Sequence, residues 1–264
     1  MTRLAWFTDP HFNFLHSGDV ERFGSSLSSA DRCLITGDIS EGPSIVRHLT
    51  EFQRGFGKTV YFVLGNHDFY GSSFAKVASL MRDLTSRNKN LIWLNSVGVQ
   101  VVGKAQLCGV DGWYDAQLGR FYPPAITMSD WTAIQELKIA YLNGPLGLIH
   151  ECRAQGIQSA FLAGEKLVNV DPSKKLLFAT HVAPYAESAW HEGKVSGPDF
   201  VPWFTNHVLG QELSRFAEAN PVCDMTTMCG HSHSTGTFQQ SKNHTVLTAA
   251  AKYGYLSPVE YFDL

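Results

Sequence analysis

The sequence predicts an α/β protein in which two β-sheets pack together and helices lie outside them. Three observations carry that prediction. Five short apolar runs each end in Asp, His or Asn; helical patterns fall between several of them; and the order is βαβα early, then mixed strands. The runs are LAWFTDPH (4–11), CLITGD (33–38), TVYFVLGNHD (59–68), KLLFATH (175–181) and DMTTMCGHSH (224–233). Each begins with continuous hydrophobic, β-branched or aromatic residues, the pattern of a buried strand. In open α/β sheets, ligands bind in the crevice beyond the carboxyl ends of the strands. The polar residues of all five runs stand at those ends.

The intervening segments justify the helices. Residues 44–57 place Ile45, Leu49 and Phe52 on one face, with Pro43 before and Gly55 at a plausible stop. Residues 72–88 repeat Phe74, Val77, Met81 and Leu84 after serines able to cap a helix. A helix over 129–142 would begin at Ser129 or Asp130, and one over 206–221 carries Leu209, Leu213 and Phe216 before Pro221. Segments 91–112 and 237–254 read as strands joined by tight turns. With no linker, repeat or low-complexity tract, 1–264 reads as one domain, with an irregular, cap-like insertion around 112–174. Long loops such as those at 112–128 and 182–203 are usually functional or mobile.

Composition narrows the class. The 264 residues are ample for a sizeable core, and 44% apolar with 17% charged is ordinary for a globular enzyme. A net charge of −3 and no Lys/Arg run disfavour tight generic binding to nucleic acid. No run of about 18 apolar residues is present, so no membrane association is expected. The first apolar stretch is too short and interrupted for a signal peptide, so the expected location is cytoplasmic. The five cysteines form no CxxC pair, as expected of reduced, buried thiols.

The strand-end residues Asp9, His11, Asp38, Asn66, His67, Asp68, His181, His231 and His233 form one chemical set. Carboxylates, imidazoles and an amide oxygen suit borderline divalent metals. The set is large enough for two ions if one carboxylate bridges them, as in hydrolases whose paired ions sit roughly 4 Å apart. Singly, each residue has an ordinary reading: Asp9, Asp38 and Asn66 as turn formers, His181 as a buried histidine. Their joint appearance in a fixed order after five strand-like runs does not. Gly37, Gly65 and Gly230 would let the backbone turn at a crowded site.

The series D-P-H, G-D, G-N-H-D, a lone H and G-H-S-H, spanning residues 9 to 233, resembles the calcineurin-like metallophosphoesterase superfamily. The resemblance implies a four-layer αββα sandwich, two mixed β-sheets flanked by helices. It implies that Asp9, His11 and His233 hold one metal, that Asn66, His181 and His231 hold a second, and that Asp38 bridges them. It further implies a shared water or hydroxide as nucleophile and His67 as the catalytic histidine. Asp68 could orient His67 through a carboxylate–imidazole hydrogen bond. The expected cofactors are two divalent ions, manganese first, with iron, zinc or nickel also compatible with N/O ligands.

Departures from relatives refine the resemblance. Glu41 stands where purple acid phosphatases carry a tyrosine ligand, and GDISEGPS lacks the arginine of the Ser/Thr protein phosphatases. GNHDFYG looks most like the bacterial-type group of small-molecule phosphomonoesterases and phosphodiesterases. The expected substrate is thus a small phosphate ester. Trp113 and Tyr114 could overhang the site, and Trp190 and His191 could form a lid, any aromatic there stacking on a base or phenyl ring. The alternative is a non-catalytic interaction module on the same fold; the completeness of the ligand series argues for the enzyme.

Overall fold

The computed structural model describes residues 1–16 and 18–264. The first half supplies β1 (Arg3–Phe7), α1 (Asp19–Ser26), β2 (Arg32–Thr36), α2 (Ile45–Phe56), β3 (Thr59–Val63), α3 (Phe74–Arg87), β4 (Leu91–Trp93), β5 (Gln100–Val102) and β6 (Ala105–Gly109). Next come α4 (Asp130–Ala133), α5 (Gln135–Leu142), α6 (Pro145–Leu167), β7 (Leu176–Ala179), β8 (Trp190–His191) and β9 (Lys194–Val195). The chain finishes with α7 (Val201–Phe204), α8 (His207–Ala219), β10 (Met225–Cys229), β11 (Gly236–Ser241), β12 (His244–Thr248) and β13 (Glu260–Asp263).

Two large sheets form, in the orders β13-β1-β2-β3-β4 and β11-β12-β10-β7-β6-β5. Both are mixed: β1, β2, β3 and β4 run parallel, as do β6, β7, β10 and β12, while β13, β5 and β11 pair antiparallel at the edges. The period-2 alternation of strand side chains sorts the core into three apolar layers. Leu4, Trp6, Leu34, Tyr61 and Val63 of the first sheet meet Leu107, Leu177, Ala179 and Met228 of the second. On the first sheet's other face, Phe7, Ile35 and Phe62 pack under Phe23, Leu49, Phe52, Val77 and Met81 of α1, α2 and α3. On the second sheet's outer face, Cys108, Leu176, Phe178 and Met225 pack under Ala163, Leu167, Leu209 and Leu213 of α6 and α8. Helix, sheet, sheet, helix is the four-layer sandwich expected from the sequence.

The structure departs from the sequence reading in places. The helix expected over 129–142 is broken at Ile134, a buried β-branched residue with φ −108° and ψ 131° that bridges to Ser72. In segment 237–254 the strands end at Thr248, and the remainder is a loop. Helix α1 and strand β13 are not among the elements expected from the sequence; α1 buries only Val20 and Phe23 among its large side chains. No helix among the described residues is long and apolar enough to cross a membrane. All five cysteines are free and buried.

Candidate metal centre

Because β1, β2 and β3 run parallel, as do β7 and β10, the loops leaving them meet along one edge of the sandwich. Backbone bonds stitch the loops within each sheet, and a backbone donor to the Asp9 side chain joins the two. Asp9 N–H donates to the Gly37 carbonyl at 3.1 Å, His11 N–H to that of Asp38 at 3.0 Å, and Gly230 N–H to that of His181 at 2.9 Å. His231 N–H donates to the Asp9 carboxylate at 3.1 and 3.2 Å. The turns are sharp: Asp9, His11, Asp38, His231 and His233 have φ of 48°, 41°, 49°, 70° and 59°. Non-glycine residues in this left-handed region cost of order 1–3 kcal/mol each and persist only where surroundings over-determine them. Close approach also explains two glycines. A Cβ at Gly65 would overlap Asp38 Oδ1 and His181 Nε2, and one at Gly230 would overlap Thr8 and Asp9 Oδ2.

All seven expected ligand residues converge. Asp9, His11, Asp38 and His233 present donor atoms within 4.8 Å of one another; Asp38, His181 and His231 form a second such group, so Asp38 belongs to both. Asn66 joins the second group, its Oδ1 lying 2.8 Å from His231 Nδ1 and 3.1 Å from His181 Nε2. In the first group, His233 Nε2 is 3.2 Å from both His11 Nε2 and Asp9 Oδ1. His11 Nε2 lies 3.8 Å from Asp38 Oδ2.

Partners behind the donors fix which atoms face inward. His181 Nδ1 donates to the Thr36 carbonyl at 2.8 Å, turning Nε2 to the centre. His231 Nε2 donates to the Trp203 carbonyl at 2.9 Å, turning Nδ1 inward. Asn66 Nδ2 donates to Asp130 Oδ1 at 2.8 Å, which leaves its oxygen facing the two imidazoles. Lone pairs of nitrogen and oxygen thus converge without protons between most of them, the arrangement a cation satisfies. The two buried carboxylates call for positive charge at the centre. Burial opposes a charged His181, yet Asp38 and Asp9 outweigh it and raise its pKa to about 10. Burial would raise the Asp9 carboxyl, but His181 and His233 hold it at about 2. Burial lowers both His11 and His231 to about 4, keeping them neutral and able to ligate. The mixed N/O donor set, buried and drawing positive charge toward Asp9 and Asp38, fits a pair of divalent ions.

The remaining expected residues take varied places. His67 sits at the cleft, its Nε2 4.0 Å from Asp38 Oδ2 and 3.2 Å from the Tyr253 hydroxyl. Asp68 makes no hydrogen bond to the His67 ring. Its carboxylate accepts from Ser40 N–H and Gly65 N–H, both at 2.8 Å, and ties the loop after β2 to the loop after β3. His191 lines the cleft, with its ring against Phe200 and Phe204. Trp190 instead packs on Gly236. Trp113 and Tyr114 are buried rather than overhanging: Trp113 meets Phe74 edge to face beside a separate cavity, and Tyr114 donates to Asp130 at 2.7 Å.

The cleft above the donors measures about 270 Å³, and Tyr70, Thr127, Met128, Ser129, Phe204 and Tyr253 are among the residues of its wall. Sequence reasoning missed these. Tyr70 had a signal, lying three residues after His67 in GNHDFYG. Tyr253 had none, because its segment reads as strand.

A sequence profile of the calcineurin-like phosphoesterases matches residues 2–235. No curated protein sequence matches the chain. Among solved structures, the fold is similar to a phosphopantetheinyl hydrolase from Mycobacterium tuberculosis, with TM-score 0.66, 16% identity, and coverage of 96% of this chain and 90% of that one. It is also similar to a dimetal phosphatase from Danio rerio, with TM-score 0.50, 12% identity, and coverage of 94% and 87%. At such identities the likeness speaks for the fold alone, and the profile match speaks for the family. The chain belongs to the calcineurin-like phosphoesterases.

Proposed function

We propose that the protein is a cytoplasmic, manganese-dependent phosphoesterase acting on a small phosphomonoester or phosphodiester. One observation carries the reading: two donor clusters meet at a shared Asp38 on the floor of an open cleft. Asp9, His11 and His233 would hold one ion and Asn66, His181 and His231 the other, with Asp38 common to both sets. The paired ions, when bound, supply Lewis acidity toward the phosphoryl oxygens and acidify water for in-line attack. The chain's own groups do the rest. His67 lines the cleft, where its Nε2 meets the Tyr253 hydroxyl at 3.2 Å and is placed to protonate or hydrogen-bond the leaving oxygen. Asp68 keeps the loops that carry Asp38 and His67 in register through its two backbone acceptor bonds. His191 and Tyr253, on the cleft wall, contact the ester's substituent. The free, buried thiols support a reducing compartment.

The test is turnover of p-nitrophenyl phosphate, bis-p-nitrophenyl phosphate and a phosphopantetheinyl ester by protein loaded with manganese. The last is included because of the name of the Mycobacterium neighbour. Cleavage of at least one ester that stops on chelation is expected. His67→Ala should keep both ions and lose roughly 10²–10⁴-fold in kcat. A folded sample holding two ions but cleaving none of the esters would favour the non-catalytic module.

A further inference from the structure

Asp130 lies outside the donor set and is fully buried beside it. Its Oδ1 accepts from Asn66 Nδ2 at 2.8 Å and from the Tyr70 hydroxyl, and its Oδ2 accepts from the Tyr114 hydroxyl at 2.7 Å. All three partners are neutral donors, so both carboxylate oxygens are satisfied without a proton of their own. The broken helix puts Asp130 there. Helix α4 is a single turn, and the chain leaves it as an extended Ile134 paired with Ser72. Gly71 N–H donates to the Ala133 carbonyl at 2.9 Å, and Gln135 N–H to that of Ser72 at 3.0 Å. The segment just after the Asn66 turn is thereby zipped to α4.

An asparagine amide can offer a metal either its oxygen or, after a half-turn, its NH₂, and only the oxygen ligates. A carboxylate that accepts from Nδ2 selects the oxygen-inward orientation. It also draws on the N–H and leaves more negative charge on Oδ1, as outer hydrogen bonds do for other ligands. We infer that Asp130 is a positioning residue: it locks Asn66 with Oδ1 toward His181 and His231 and so sets the affinity of the second metal position. The inference rests on the ligand assignment proposed above.

Manganese itself is the probe, with stoichiometry and affinity measured by calorimetry and elemental analysis on the full chain, and folding followed by circular dichroism. Asp130→Ala is expected to weaken the second manganese by about 10–100-fold and leave the first in place. Asn66→Asp sets two carboxylates against each other and should also weaken it. The pair Asn66→Asp with Asp130→Asn reverses donor and acceptor and should bind better than Asn66→Asp alone. A folded Asp130→Ala protein with unchanged binding at both positions overturns the inference. If Asp130→Ala does not fold, the exchange pair decides: no gain over Asn66→Asp alone overturns it equally. Because turnover is not the readout, a wild-type chain that binds two manganese ions but cleaves no ester sinks the phosphoesterase reading and leaves this one standing. A wild-type chain that binds fewer than two sinks both.

Discussion

The two donor clusters share Asp38 yet are held differently. In the second, each donor has a partner behind it: the Thr36 carbonyl for His181, the Trp203 carbonyl for His231 and Asp130 for Asn66. All three side chains are buried. In the first, His11 Nδ1 is buried without a hydrogen-bond partner, and the His233 side chain is 21% exposed. The cover over the first cluster is the Tyr253 ring, 4.4 Å from His11 and 4.9 Å from His233. The difference teaches that in the second half every donor is braced by a hydrogen bond from behind, while in the first only Asp9 is so braced and the two histidines rest on aromatic packing.

The strongest way to break the comparison is to remove what the halves share. Asp38→Ala is expected to lose both ions by elemental analysis and at least about 10³-fold of turnover, since several kcal/mol of electrostatic stabilisation vanish. Retention of one ion would mean that the halves are independent. A histidine buried outside the pair supplies a control. His244 is buried with Thr227 as its partner, and burial lowers its pKa to about 4. The folded value lies below the unfolded one, so its contribution to stability is present above about pH 6.5 and drains away as pH falls toward 4. The loss amounts to roughly 3 kcal/mol at its limit. Urea titrations of His244→Gln should therefore show a flatter acid limb; an unchanged limb would assign acid sensitivity to the donor clusters.

Stepwise chelation tests the asymmetry itself. Metal release followed by a colorimetric chelator should be biphasic, the second phase slower by about 10–100-fold. A single phase would erase the distinction between braced and unbraced halves. The smallest effect belongs to the rim. Tyr253→Phe removes the hydroxyl 3.2 Å from His67 Nε2 and should change kcat/KM by roughly 2–10-fold, the worth of one hydrogen bond. Metal content should stay constant.

The parts legible in the sequence were those written locally. Each strand is an apolar run, each donor follows one within a few residues, and parallel pairing of the strands brings the donors together. What was illegible depends on contacts distant in sequence. Asp130 reads as a helix cap, and its meeting with Asn66, 64 residues away, follows from the docking of Ile134 on Ser72. Trp113 follows a strand-like run and Trp190 lies in the segment after His181, as rim aromatics would, but the space beside Phe74 and the bare backbone of Gly236 take their rings inward. Tyr253 comes to the cleft because β12 stops at Thr248 and the chain loops back before β13.

The left-handed turns at Asp9, His11, Asp38, His231 and His233 have an evolutionary consequence. Glycine at any of them would relax the backbone by roughly 1 kcal/mol while deleting a donor atom. Selection for heat tolerance alone would therefore drift toward a sturdier, silent scaffold. Keeping these five side chains runs against the preference of their own backbone.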